Sequence, residues 1–208
     1  MMNKSGFDFS KNEIRDILIA FTLITVLFAI RSSDEFNQIF YNIPIVMIGI
    51  ALGFICRELI CKKAAMKFNY WSEYKIFTPG IILAFLTSFK GFMFTAPGSV
   101  YIYGNANDRE NGLICLSGIV VHILFSIVFL GLAILMQSPE IGNSWFNDLL
   151  FAIFSMGFLT NGYLAFFGLF PIGSIYGAAI YNWNRILWFI IIAFALFIVW
   201  LGTMFFQI

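Results

Sequence analysis

Arg57-Glu58-Leu59-Ile60-Cys61 ends an apolar run that begins at Ile43, and it has the spacing of the H-E-x-x-H metal motif with both histidines replaced. A run of this length can cross a bilayer, and its adjacent arginine and glutamate mark a polar site at the end of a membrane helix. The residues around that helix follow the same logic.

The chain has 208 residues, of which 61% are hydrophobic, 19% aromatic and only 11% charged. That is more apolar surface than a water-soluble domain of this size buries, so an integral membrane protein is expected. The apolar stretch near the start, 14–30, has charged residues on its amino side and no small-residue cleavage site after it, and is expected to be a retained span. Net charge is +1, which gives no electrostatic case for a nucleic-acid partner. Cys56, Cys61 and Cys115 fall in or beside apolar runs and are expected to be reduced, buried thiols.

Spans are expected at 14–31, 43–61, 113–137, 145–170 and 186–208. The stretch 79–104 differs, with Lys90 at its middle, Pro97-Gly98 beyond, and an alternating tail Val100-Tyr101-Ile102-Tyr103 that favours a strand. If this stretch is re-entrant, one side of the membrane receives Lys4, Lys11, Arg15, Lys62, Lys63, Lys67, Lys75, Arg109 and Arg185, while the other receives only Arg31. Full crossing weakens that asymmetry, so the positive-inside rule selects re-entry. The expected fold is an all-α polytopic membrane protein in one domain, 1–208, with five spanning helices plus a re-entrant segment carrying a short β-hairpin. The amino terminus is expected in the cytoplasm and the carboxyl terminus outside. Tyr70, Trp71 and Tyr74 then fall at the inner interface and Trp145 at the outer one.

In this topology the second span ends at Arg57, Glu58 and Cys61, and the fourth ends at Pro171-Ile172-Gly173-Ser174-Ile175-Tyr176-Gly177. Both ends meet the start of the third span at similar depth, which is where a site is expected.

Several pieces now fall in a recognisable order: the Glu58 pentapeptide, Lys67-Phe68-Asn69-Tyr70-Trp71, Thr95-Ala96-Pro97-Gly98-Ser99-Val100-Tyr101-Ile102, Glu110-Asn111-Gly112, Ser117-Gly118, and Phe167-Gly168-Leu169-Phe170-Pro171 leading to Gly177. In this order the chain resembles the site-2 proteases, intramembrane zinc metallopeptidases, and looks closest to the small archaeal-type members. The resemblance covers a core of about 9–188, followed by a final membrane helix at about 186–208. It implies the plasma membrane of a prokaryote. It also implies that two histidines on one helical face and a later aspartate bind zinc, with the glutamate as general base. Position by position, the first histidine is Arg57, the second Cys61, the aspartate Tyr176, and only Glu58 remains. Polar support positions are changed too: Ile119 and His122 stand where the family has a proline and an asparagine, and Gly168 where it has an asparagine.

A guanidinium has no lone pair to give a metal and repels a nearby dication. Two readings of Arg57 stand: it supplies the positive charge that zinc supplied, near Glu58 or Tyr176, or it snorkels to the interface. His122, the only histidine, is either a ligand or proton carrier with Cys61, or an interhelical hydrogen-bonding group. Ser117 lies five residues before His122, about 140° around a helix, so the pair does not form a nucleophile and base. No paired intramembrane aspartates exist, because Asp16, Asp34, Asp108 and Asp148 lie at span ends or in loops. The expectation is therefore no enzyme, no cofactor and a lost zinc. What the resemblance leaves is a segment whose edge at Gly98, Val100 and Ile102 receives an extended peptide, or else a self-satisfied plug.

Three functions stand at this point. The first is a catalytically inactive relative that binds a membrane protein or peptide as regulator, chaperone or assembly subunit. The second is a peptidase with a centre rebuilt from Cys61, His122 and Glu58. The third is a transporter or structural subunit on an inherited fold. The expected partners are the lipid bilayer and a membrane protein or peptide, with no nucleic acid and no oligomeric state assigned.

Overall fold

The first helix begins where Ser10 caps it: Ser10 Oγ accepts from Glu13 N at 3.1 Å, and the Glu13 carboxylate accepts from Ser10 N at 3.4 Å. This reciprocal capping satisfies two otherwise unpaired donors. In a computed structural model, which describes residues 8–88, 93–138, 144–173 and 175–206, helix α1 runs Lys11–Arg31. It is followed by α2 Phe36–Lys67, strand β1 Trp71–Ile76, α3 Thr78–Ser88, β2 Gly98–Tyr103, α4 Asp108–Met136, α5 Trp145–Gly168, α6 Tyr176–Trp183 and α7 Arg185–Phe206. Lys4, Lys90 and Ser174, named in the sequence analysis, lie outside the described residues.

Four of these helices, α2, α4, α5 and α7, are long and apolar enough to cross a membrane. Residues on their outer faces such as Leu52, Leu124, Val128, Phe189 and Phe197 are exposed, as lipid contact requires. The expected first span is not among them. Glu13, Arg15 and Asp16 occupy its first turns, so the uncharged run 17–30 is about 21 Å long, short of a hydrocarbon core of roughly 30 Å. The expected hairpin also takes a different form. β2 pairs antiparallel with β1, from Trp71 opposite Tyr103 to Ile76 opposite Gly98, so the strands flank α3 instead of meeting at a tight turn. Asn69, with φ at 60°, turns the chain out of α2 into β1. Tyr74, expected at an aromatic interface, is instead buried at 1% exposure, because its side chain faces inward with that of Val100.

The core lies where α2, α4 and α5 meet, and glycines set how closely they approach. A Cβ on Gly49 would stand 2.8 Å from Gly157 N, one on Gly53 would overlap the Asn161 amide, and one on Gly157 would stand 2.7 Å from the Phe129 ring. Gly131 of α4, by contrast, faces open space. Gly98 is equally constrained, since a Cβ there would overlap the Tyr74 ring and the Lys75 carbonyl. Gly98→Ala is therefore expected to lower stability by about 1–3 kcal/mol, read as a lower melting temperature in detergent. An unchanged melting temperature would mean that Tyr74 can move aside.

Candidate functional site

Gly53, Arg57 and Cys61 succeed one another at four-residue intervals, so they share one face of α2, the face packed on α4 and α5. A Cβ on Gly118 of α4 would stand 2.5 Å from Cys61 Sγ and 3.2 Å from Arg57 Cγ, which shows how closely the helices meet. Arg57 and Glu58 are 3% and 4% exposed. Arg57 Nε donates to Glu58 Oε1 at 2.7 Å and Nη2 donates to the same oxygen, so the adjacent residues form a direct buried ion pair. The guanidinium carbon lies 4.6 Å from the Phe54 ring centre and 5.4 Å from those of Tyr74 and Tyr176. Arg57 is thus enclosed by three aromatic faces and a carboxylate, and does not extend to the surface.

The other positions from the sequence reading gather around it. Tyr176 is the first residue of α6 and is 1% exposed, held there because Gly177 packs on the Leu169 carbonyl at the end of α5. Gly168 packs on Ile119, where a Cβ would stand 2.9 Å from Ile119 Cδ1. Cys61 Sγ donates to Ile114 O at 3.8 Å, and Ser117 Oγ donates to the same carbonyl at 2.6 Å. Burial pushes the phenol pKa values of Tyr74 and Tyr176 up, while the Arg57 charge acts in the opposite sense; both phenols stay protonated.

His122 is fully buried and its Nδ1 is 2.8 Å from Asn161 Oδ1. Asn161 Nδ2 donates to Gly157 O at 2.7 Å and Gly49 O at 3.4 Å, which fixes Oδ1 as the acceptor toward the ring. His122 Nδ1 therefore carries the proton and Nε2 the lone pair. Among the described residues His122 Nε2 is buried without a hydrogen-bond partner, while the Tyr74 hydroxyl lies beside Arg57 and the Tyr176 hydroxyl beside Cys61. Asn161 escaped the sequence reading because an amide inside an apolar span carries no motif; only its position opposite the glycine face of α2 gives it a role.

A second buried pair was missed as well. Lys62 Nζ donates to Glu13 Oε2 at 2.6 Å and to Ser72 O at 3.1 Å, and Glu13 Oε1 accepts from Tyr74 N at 3.2 Å. Lys62 also lies 4.4 Å from the Phe9 ring centre and 4.6 Å from that of Trp71. In sequence these residues read as flanking charges. In the fold they bond the main chain of β1 at Ser72 and Tyr74, on the edge facing away from β2.

The other edge of the sheet differs. Phe77 N donates to Pro97 O at 2.9 Å, so the bonded pairs of the ladder alternate from there through Lys75 and Ser99, Glu73 and Tyr101, and Trp71 and Tyr103. The amides and carbonyls of Gly98, Val100 and Ile102 accordingly point outward. A cavity of about 310 Å³ runs along this edge, lined among others by Val100, Ile102, Asn111, Cys115, Ile175 and Ala179.

The residues at the inferred metal positions do not fit a zinc ion. Arg57 offers no lone pair and brings a positive charge to the centre, and Tyr176 is a protonated phenol. No three histidine, cysteine, aspartate or glutamate side chains among the described residues come together as a metal site.

No family model matches the chain. No solved structure matches it either. It is 33% identical over 189 residues to a protein of Methanocaldococcus jannaschii named "Putative zinc metalloprotease", an alignment that covers 90% of this chain and 92% of the relative. That name is an enzyme's, and it overturns the expectation that the chain is no enzyme.

Proposed function

This chain belongs to the site-2 protease family of intramembrane zinc metallopeptidases, and we propose that it takes up an extended segment of a membrane protein along the free edge of β2. The observation that carries this reading is the difference between the two edges of one sheet. Glu13 and Lys62 bond the outer edge of β1. Val100 and Ile102 on β2 turn their main-chain groups toward a cavity, and Gly98 continues the same unpaired edge. An incoming strand gains main-chain hydrogen bonds on the second edge only. Its alternate side chains then point the same way as Tyr74 and Val100, toward the Arg57–Glu58 centre.

The test uses protein purified with its partners from native membranes. Proline at position 100 removes one outward N–H and no ladder bond, so the fold tolerates it better there than at a paired position. Val100→Pro is expected to reduce recovery of a bound membrane protein about tenfold or more, as the loss of one or two main-chain hydrogen bonds implies, with the melting temperature nearly kept. Full recovery of the same partner by both Val100→Pro and Ile102→Pro contradicts the reading.

The relative's name and the free Nε2 of His122 favour a second reading, a peptidase with a centre rebuilt from Cys61, His122 and Glu58. No step is assigned to it, because those side chains do not come together as a metal site.

For topology we propose five crossings, with the amino terminus cytoplasmic in the plasma membrane of a prokaryote. Support comes from the charges of α1: Glu13 is buried against Lys62, and Asp16 pairs with Arg15 at 2.8 Å, so both can enter the interface without facing lipid unpaired. The 11-residue α3, about 16 Å long, is too short to cross, which supports re-entry of the segment that contains it. Membrane-impermeant labelling of single cysteines at the two ends tests this: labelling from opposite sides is expected, and labelling from the same side rejects five crossings.

A further inference from the structure

A segment laid along β2 has two edges, and β2 satisfies only one of them. The main-chain groups of its other edge point across the cavity, and inside a groove each of them needs a partner. The far wall of the cavity is built from the first two turns of α4 and from α6, which pack on each other. Helical main chain is bonded within itself, so it offers that edge little. Of the side chains on this wall, Ile175, Ala178 and Ala179 are apolar and Cys115 is a weak hydrogen-bonding group. Asn111 and Asn182 are the exceptions.

The two asparagines lie at one end of the cavity. A Cβ on Gly112 would stand 2.7 Å from Trp183 Cβ, which brings their chain neighbours Asn111 and Asn182 to the same level. The end of β2 reaches this level too, since Gly104 packs on Tyr70, whose hydroxyl donates to Glu110 Oε2 at 2.8 Å. An asparagine amide carries a donor and an acceptor, the same pair that an adjoining strand presents. Cys115 Sγ donates to Asn111 Oδ1 at 3.6 Å, which leaves Nδ2 as the donor of Asn111. Among the described residues no hydrogen bond ties up the Asn182 side chain, which lines the same cavity. Resting on the edge reading above, we propose that Asn111 and Asn182 bond the outward main-chain groups of the segment taken up on β2. The segment is then held by both edges, and at this end it is recognised by its backbone and not by its side chains. The ligand class is an extended stretch without proline at these positions, because proline lacks the N–H that either edge needs.

Backbone recognition is indifferent to side chains, so a generic probe serves: a short peptide of alternating valine and threonine, titrated onto the purified protein in detergent. Asn111→Leu and Asn182→Leu are each expected to weaken its binding about three- to tenfold, the worth of one hydrogen bond, with the melting temperature unchanged. N-methylation of every second residue blocks one edge of the peptide and leaves the other able to pair with β2. On the unaltered protein the methylated peptide is expected to bind about tenfold more weakly than the plain one, and on Asn111→Leu/Asn182→Leu by roughly threefold or less. Equal binding of the two peptides to the unaltered protein overturns the proposal, whether or not the variants fold. So does unchanged binding by both asparagine variants; where Val100→Pro still weakens the probe, the edge reading survives that result. A probe that does not bind, or that binds Val100→Pro and Ile102→Pro as tightly as the native protein, overturns the edge reading and the asparagine contacts with it.

Discussion

Arg57→Met is expected to destabilise the protein by about 3–5 kcal/mol, because it leaves the Glu58 carboxylate buried without the cation that pairs with it. For a chain of this size that corresponds to a fall in melting temperature on the order of 10 °C. The size of the effect comes from the carboxylate left behind more than from the pair itself. A buried ion pair gains little over well-packed apolar side chains, yet breaking one end exposes the full desolvation penalty of the other. The double variant Arg57→Met/Glu58→Met is therefore expected to recover most of the loss. Equal destabilisation by single and double variants would show that the cage of Phe54, Tyr74 and Tyr176 needs the guanidinium itself, through its ring contacts.

Lys62→Met is the second large effect, again about 3–5 kcal/mol, and it differs in its consequences. Lys62 neutralises Glu13 and also bonds Ser72 O, so its loss frees the outer edge of β1 as well as stranding a carboxylate. Beyond the lower melting temperature, faster amide hydrogen exchange is expected in β1 than in α4 or α5, because the sheet has lost a main-chain bond on one side. Glu13→Gln/Lys62→Met should restore much of the stability: a glutamine at 13 keeps an acceptor for Tyr74 N and carries no charge. A Lys62→Met protein that melts like the native one would show that the pair is dispensable and that β1 is held by β2 alone.

Composition and run length were enough to place the long helices, because a bilayer imposes its thickness on the sequence. The alternation Val100-Tyr101-Ile102-Tyr103 likewise marked β2. The partner of β2 was not legible, since Trp71-Ser72-Glu73-Tyr74 mixes charged, polar and aromatic residues in a way that suits an interface as well as a strand. The spacing of Arg57, Glu58 and Cys61 singled out residues that the fold buries together, but the sequence left Arg57 between a buried and a snorkelling position. The aromatic enclosure that decides it comes from three separate elements, with Phe54 on α2, Tyr74 on β1 and Tyr176 on α6. Glu13, Lys62 and Asn161 were missed for one physical reason. A polar residue in an apolar chain shows its role only through the partner it meets across the fold, and those partners lie 39 to 112 residues away.

The central proposal is that the cation of this centre is the guanidinium of Arg57 and that a membrane segment is taken up on the neighbouring strand edge. Elemental analysis of protein purified from its native membrane, without chelator, tests it most directly. The account predicts far less than one metal ion per chain, unchanged in Cys61→Ser and His122→Ala variants. One zinc ion per chain, lost when Cys61 or His122 is changed, would contradict it.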